Sequence, residues 1–291
     1  MSKLKRRDFL RNTAIIAAGA TLFRPNILFG KDDRIVKLGF IGTGLRGQEH
    51  LRLALLRSDV EINAICDIDP QALQIAQKMI KDAGWDEPDE YGKSETDFHR
   101  MLERDDLDAV IIATPWLWHT RMAVAAMKAG KYAGVEVSAA NTLEECWDLV
   151  NTYEATGVPV MIMENVCYRR DVMAILNMVR QDMFGEIIHL ECGYQHDLRE
   201  VKFNDGKQPY GGGVEFGEKG FSEARWRTFH SVNRNGDIYP THGAGPAANY
   251  ININRGNRFL YLTSTATKSR GLHNYIVEKG GEGHPNAKVR F

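Results

Sequence analysis

Arg34-Ile-Val-Lys-Leu-Gly-Phe-Ile-Gly-Thr-Gly-Leu-Arg-Gly47 decides the fold. Ile35, Val36, Leu38, Phe40 and Ile41 form a near-continuous apolar run, the pattern of a strand covered on both faces in a parallel sheet. The run opens into Gly42-Thr-Gly44-Leu-Arg-Gly47, a G-x-G-x-x-G, and a helical stretch over 48–57 follows at once. In that setting Gly42 permits a tight turn, Gly44 lets the backbone approach a pyrophosphate, and Gly47 lets helix and strand pack closely. The helix start adds unpaired N–H groups and a partial positive charge. A tight βα turn without a ligand would show the same glycines, so the next strand matters. Val60-Glu-Ile-Asn-Ala-Ile-Cys66 ends in Asp67, 20 residues past Gly47, where a carboxylate can accept from an adenosine ribose. An acid there favours NAD, because a 2′-phosphate would be repelled.

Working outward, strand and helix alternate. Helices are predicted over 71–83, 97–103, 121–129 and 142–156, and strands over 107–113, 132–137 and 157–163. Residues 85–93 read as a polar connection. The alternation predicts βαβ units and a doubly wound parallel sheet of the α/β class, with ligands beyond the carboxyl ends of the strands. Unusual residues collect at those ends: Thr114-Pro-Trp-Leu-Trp-His119, Glu136-Val137-Ser138 and Glu164-Asn165. Trp116 offers a flat face for a nicotinamide or ribose. Each also has a plainer reading, with Trp116 or Trp118 a core aromatic, His119 a hydrogen bonder near a helix start and Glu136 a satisfied buried acid. Their joint place at one sheet edge favours a site.

Beyond Arg170 the pattern changes. A helix is predicted over 171–181, strands over 185–192 and 259–265, a helical turn over 222–227, and a helix after Tyr239-Pro-Thr-His242; the remainder reads as loop. The expected second unit is an α+β domain with a mainly antiparallel sheet. The division is 1–30 as a signal segment, 31–163 as the dinucleotide domain and 164–291 as a substrate domain. The first segment pairs Arg6-Arg7 with a short apolar run over 13–23, which resembles a twin-arginine export signal and predicts a periplasmic or cell-envelope location. That run is too short for a comfortable membrane span, so no stable membrane anchor is expected.

With 37 basic and 38 acidic residues evenly mixed, nothing suggests a nucleic-acid partner. Four cysteines without a C-x-x-C make neither a disulfide framework nor a zinc site, and no metal is expected. A homo-oligomer is compatible with the sequence but not specified by it.

The order G-T-G-L-R-G, C-D-I-D, A-T-P-W-x-W-H and V-E-V-S resembles the Gfo/Idh/MocA superfamily of NAD(P)-dependent oxidoreductases. More narrowly, Glu164-Asn-Val-Cys-Tyr-Arg-Arg-Asp171, Gly193-Tyr-Gln-His-Asp-Leu-Arg199, Glu223-Ala-Arg-Trp-Arg227 and Tyr239-Pro-Thr-His-Gly243 resemble glycoside hydrolase family 109, the NAD-dependent α-N-acetylgalactosaminidases. The resemblance implies that Leu45, Arg46, Asp67, Trp116, Leu117, Trp118, His119, Glu136, Val137 and Asn165 hold NAD alongside Gly42, Gly44 and Gly47. It implies that Tyr194, Arg225, Tyr239, Pro240, Thr241 and His242 line a pocket for terminal N-acetylgalactosamine, with His242 as base and Tyr239 assisting. NAD would be tightly bound and recycled through oxidation, elimination, addition and reduction, with no net redox change. The superfamily's Glu-Lys-Pro is Glu136-Val137-Ser138 here, so its usual lysine is absent, which argues against an ordinary sugar dehydrogenase. Family members run beyond Phe291 and complete the second domain with further strands. The alternatives are an exported sugar oxidoreductase and a non-catalytic binder.

Overall fold

The computed structural model describes residues 34–291; the predicted export signal lies outside them. Six strands form one parallel sheet: β1 (Val36–Ile41), β2 (Val60–Cys66), β3 (Asp89–Tyr91), β4 (Ala109–Ile112), β5 (Tyr132–Val135) and β6 (Val160–Ile162). Their order is β3-β2-β1-β4-β5-β6. The order reverses between β1 and β4, and this opens a crevice at the carboxyl ends of the strands.

Five helices connect these strands: α1 (Leu45–Ala54), α2 (Pro70–Asp82), α3 (Phe98–Leu102), α4 (Trp116–Lys128) and α5 (Leu143–Thr156). Local chemistry sets their ends. Asp69 caps α2 by accepting from the Gln71 amide at 2.9 Å, with Pro70 in the first helical position. Thr142 caps α5, accepting from the Glu145 amide at 3.2 Å, while the Glu145 carboxylate reaches back to the Asn141 amide at 2.6 Å. Gly157, at φ 69°, ends that helix. Apolar side chains fill both faces of the sheet. Phe40, Leu51, Ile65 and Ile80 lie on one, and Ile41, Val110, Ile112, Met101 and Met127 on the other.

Three local readings need correction. The connection over 85–93 contains β3, an edge strand whose polar residues hide it from a periodicity argument. The fourth helix begins at Trp116 rather than Arg121, because Pro115 ends the preceding turn and presets the helix entry. The tail is not all loop, since a helix spans Gly271–Gly280.

The second part departs further. A 3₁₀ turn (Asn165–Tyr168) follows β6, then α6 (Arg170–Arg180), α7 (Arg199–Lys202), α8 (Arg227–Asn233), α9 (Pro240–Tyr250) and α10 (Gly271–Gly280). The expected antiparallel sheet is absent among the described residues, where isolated bridges such as Asn204 to Glu215 stand instead. Residues 185–192 and 259–265 have strand-like composition, yet Ile188, Leu260 and Leu262 are 91%, 79% and 90% exposed. Composition supplies the propensity, but a strand needs a hydrogen-bonding neighbour, and neither segment has one here. A small core of Phe203, Val214, Tyr275 and Ile276 holds α10 against the loops. No described helix is long and apolar enough to cross a membrane.

Candidate active site

The crevice above β1 and β4 continues into a cavity of about 750 Å³ shared by both parts of the chain. Its lining includes Gly42, Gly44, Leu45, Arg46, Asp67, Trp116, Trp118, His119, Glu136, Val137 and Asn165 from the first part, and Tyr194, Arg225, Tyr239 and His242 from the second. Gly47, Leu117, Pro240 and Thr241 are not in the lining. Gly47 acts from behind, since a Cβ there would lie 2.0 Å from the Gly42 carbonyl oxygen. Leu117 is more than half exposed on the outer side of α4. Pro240 and Thr241 are the first residues of α9, where Pro240 shapes the helix entry.

The residues at the sheet edge fit a dinucleotide. Gly42 adopts φ 91°, and a side chain there would meet the Ala113 backbone at 2.7 Å. A Cβ on Gly44 would meet nothing within 4 Å, so the turn leaves open space where the backbone can be approached. Gly44 caps α1 without a side-chain acceptor, and the first turn carries no acid, so its amide groups remain available to an anion. Asp67 accepts from the Thr43 amide at 2.7 Å and the Asp69 amide at 2.9 Å. Burial raises its pKa, against these two hydrogen bonds. Oδ2 also accepts from the Thr43 hydroxyl at 3.4 Å, so it is Oδ1 that retains a second lone pair for a ribose hydroxyl.

Two expected cofactor contacts have a different character. Trp116 borders the cavity but is only 4% exposed, with most of its ring covered. Its ring lies 5.3 Å from Trp226, 4.6 Å from His230 and 5.5 Å from Tyr239, so it ties the Rossmann sheet to the second part. His119 is buried, with Nδ1 2.8 Å from the Ser138 carbonyl and Nε2 2.7 Å from the Thr114 carbonyl. Burial pushes its pKa below the usual histidine value, although both carbonyls favour the charged ring. It clamps the start of α4 to the chain after β5.

On the opposite wall, His242 sits in the first turn of α9, and its Nδ1 is 2.6 Å from Glu164 Oε1. Both side chains are 9% exposed. An ionised carboxylate only accepts, so Nδ1 donates and the lone pair of neutral His242 stands on Nε2. Glu164 Oε1 also accepts from the Val166 amide at 3.0 Å, which orients it from the chain after β6. The rings of Tyr239 and Tyr194 flank His242 at 5.1 and 4.5 Å. Burial raises the Tyr194 pKa, keeping its phenol neutral, and its hydroxyl lies 2.6 Å from His196 Nδ1. The Tyr239 hydroxyl and Glu164 Oε2 are buried without a hydrogen-bond partner. Such orphaned polar atoms in a cavity wall are suited to meet a polar ligand.

Sequence reasoning placed Glu164 at a strand end and quoted His196 and Arg227 but gave none of them a role; Glu164 stands behind His242, and His196 and Arg227 line the cavity. Arg225 is exposed, whereas Arg227, two residues on, packs its guanidinium 5.3 Å from the Trp116 ring centre and 5.4 Å from that of Tyr239. Arg227 pairs with Glu223, and its buried Nε lacks a partner. In sequence Arg225 and Arg227 look alike, and only the fold exposes the first and half-buries the second. No cluster of three or more His, Cys, Asp or Glu among the described residues is placed to hold a metal.

The aromatic wall carries a pH consequence. Burial pushes the His230 pKa down to about 4 from 6.5, with Arg234 and Arg227 adding to the effect. A histidine whose folded pKa is depressed opposes folding once the unfolded chain binds the proton. His230 therefore lowers stability progressively from about pH 6.5 down to about 4, and the loss levels off below that. Urea midpoints measured across this window are expected to fall less steeply in His230→Phe than in the unaltered chain.

Two family models match successive parts of the chain. Residues 36–164 match an oxidoreductase family with an NAD-binding Rossmann fold, and residues 168–291 match the glycosyl hydrolase 109 C-terminal domain. An alpha-N-acetylgalactosaminidase of Tannerella forsythia is 60% identical over 90% of this chain and 57% of its own length. Glycosyl hydrolase family 109 proteins of Parabacteroides distasonis and Stenotrophomonas maltophilia are 59% and 54% identical, over 57% and 65% of their own lengths. The chain thus spans less than two thirds of these relatives. Among solved structures it resembles a scyllo-inositol dehydrogenase of Lactobacillus casei at 20% identity, with a TM-score of 0.47 over 53% of this chain and 43% of that one. With a match to an NAD-binding Rossmann domain of the Gfo/Idh/MocA type followed by a match to the glycosyl hydrolase 109 C-terminal domain, the chain is similar in both its parts to glycosyl hydrolase family 109 proteins.

Proposed function

We propose that this chain serves an NAD-dependent glycosidase that hydrolyses terminal α-linked N-acetylgalactosamine, with the nucleotide retained and recycled. One observation carries the reading: a histidine whose Nδ1 meets a carboxylate shares one cavity with a dinucleotide cradle. The activity carried in the name of the Tannerella forsythia relative supports the sugar.

The glycine turn, Arg46 and Asp67 would hold NAD, which would supply reversible hydride acceptance at C3 of the sugar. Once C3 is a ketone, the C2 proton is acidic enough for His242 Nε2 to remove it. Glu164 stabilises the imidazolium that forms and holds the ring at one angle, as the orienting carboxylate does in other acid–base pairs. The departing oxygen takes its proton from solvent; water then adds its oxygen to C1 and releases a proton to solvent, while the protonated ring returns its proton to C2. Tyr239 donates its unpartnered hydroxyl to the sugar oxygen on which charge develops. The packed aromatic rings of Trp116, Trp226 and Tyr239 form one side of the cavity in which the sugar would sit.

Purified protein is expected to carry NAD and to release the aryl group from an aryl α-N-acetylgalactosaminide without accumulating NADH. Sustained NADH build-up with free sugar would instead identify a sugar oxidoreductase. We also propose that the protein is loaded with NAD before export by the twin-arginine route, because that route carries folded cargo; the support is Arg6-Arg7 and the apolar run behind it. Cell fractionation that left the protein in the cytoplasm would reject this.

A further inference from the structure

His50 lies outside the cavity lining, yet it shares an atom with a residue inside it. Glu136, just past the carboxyl end of β5, is 5% exposed. Its Oε1 accepts from Arg46 Nε at 2.6 Å and lies 2.6 Å from His50 Nε2. The carboxylate only accepts, so His50 Nε2 carries the proton in this contact. Oε2 accepts from the Val137 amide at 3.1 Å. Arg46 and His50 stand one turn apart on α1, so they reach the same point from one helix face.

The arrangement leaves Arg46 with one edge to offer. Its Nε is held by Glu136 and its Nη1 by Glu49 at 3.1 Å, while Nη2 has no partner among the described residues. An arginine side chain is long and samples many rotamers, so two carboxylates that fix two of its nitrogens also aim the third. Arg46 lines the cavity beside Gly44, at the start of α1, where a phosphate is favoured.

We propose that His50 is a positioning residue for the dinucleotide: it holds Glu136 in place so that Arg46 keeps its Nη2 edge turned to the pyrophosphate. This rests on the dinucleotide reading above. Burial alone would raise the Glu136 pKa, but the hydrogen bond from His50 and the charge of Arg46 bring it below the usual carboxylate value. The groups facing Glu136 are Arg46 and His50 of α1, with Glu49 behind Arg46, and His119 of α4. Without His50, Arg46 and the Val137 amide alone oppose the effect of burial, and Glu136 takes up a proton at higher pH.

The test is NADH release from the whole chain, followed by nucleotide fluorescence between pH 5 and 8, with the melting temperature measured alongside. His50→Leu removes the donor, and His50→Gln keeps one. The leucine variant is expected to release NADH about tenfold faster, the effect of losing one hydrogen bond to a charged group. Its release should accelerate on acidification at a higher pH than in the unaltered chain, and His50→Gln should restore most of the retention. A leucine variant with unaltered release and pH profile would overturn the inference. So would equal losses in both variants that track a lowered melting temperature, since His50 would then be a structural staple. If the unaltered chain holds no NADH, the dinucleotide reading itself fails, and the inference falls with it.

Discussion

Replacing His242 with Asn is expected to lower the turnover of an aryl α-N-acetylgalactosaminide by about 10²–10⁴-fold, the range for removing a general base. Asparagine is the informative choice. Its amide can still donate toward Glu164, where Nδ1 does so now at 2.6 Å, but it has no basic nitrogen to take a proton. His242→Ala should lose as much activity and also destabilise the fold by about 1–3 kcal/mol, because it leaves a buried carboxylate short of a donor. Glu164 Oε2 is already without a partner, so the remaining contact to the Val166 amide would carry the whole group. Both variants should retain NAD, since His242 lies on the wall formed by α9 and not on the glycine turn. Steady-state kinetics, bound-nucleotide content and urea unfolding separate these effects. An asparagine variant that keeps NAD and turns over at the original rate would remove His242 from the role of base.

The second large effect concerns the glycine turn. Gly44→Thr is expected to weaken NADH binding by about a hundredfold, about 2.7 kcal/mol, while leaving stability nearly unchanged. At Gly44 the backbone is in the ordinary range, φ −66°, and a Cβ would touch nothing within 4 Å. Threonine and glycine are also similar as helix N-caps, so the protein alone should tolerate the change. The cofactor should not, because the side chain fills the space through which a pyrophosphate reaches the amides of α1. Gly47→Ala provides the contrast. Its Cβ would lie 2.0 Å from the Gly42 carbonyl oxygen, a backbone atom that cannot swing away, so binding and stability should fall together. Fluorescence titration with NADH and thermal melts on both variants check this pair. Gly44→Thr binding NADH as before would mean that the open space is not a pyrophosphate cradle.

How much of this was legible before folding depends on how local the signal is. The apolar runs of β1, β2 and β4 declare themselves within a few residues, because strands covered on both faces have no polar positions to spare. Asp69-Pro70, Thr142 with Glu145, and Gly157 mark helix ends through hydrogen bonds that span at most four residues. Asp89-Glu-Tyr91 escaped notice because a short edge strand borrows its identity from its neighbour β2 rather than from its own sequence. The same dependence acted in reverse at 185–192 and 259–265, where strand-like residues met no partner and stayed exposed.

The sequence by itself determined the alternating α/β half, its glycine turn and the acid after β2, since propensity, periodicity and capping act over one or two helical turns. The tertiary structure alone decided which charges meet. Glu164 and His242 are 78 residues apart, and Glu136 is 90 and 86 residues from Arg46 and His50. It also decided that Trp116 is buried between the two parts of the chain instead of bare toward a ligand. No local pattern encodes such pairs. They exist because a parallel sheet brings the ends of distant strands to one edge, where a second set of helices closes over them.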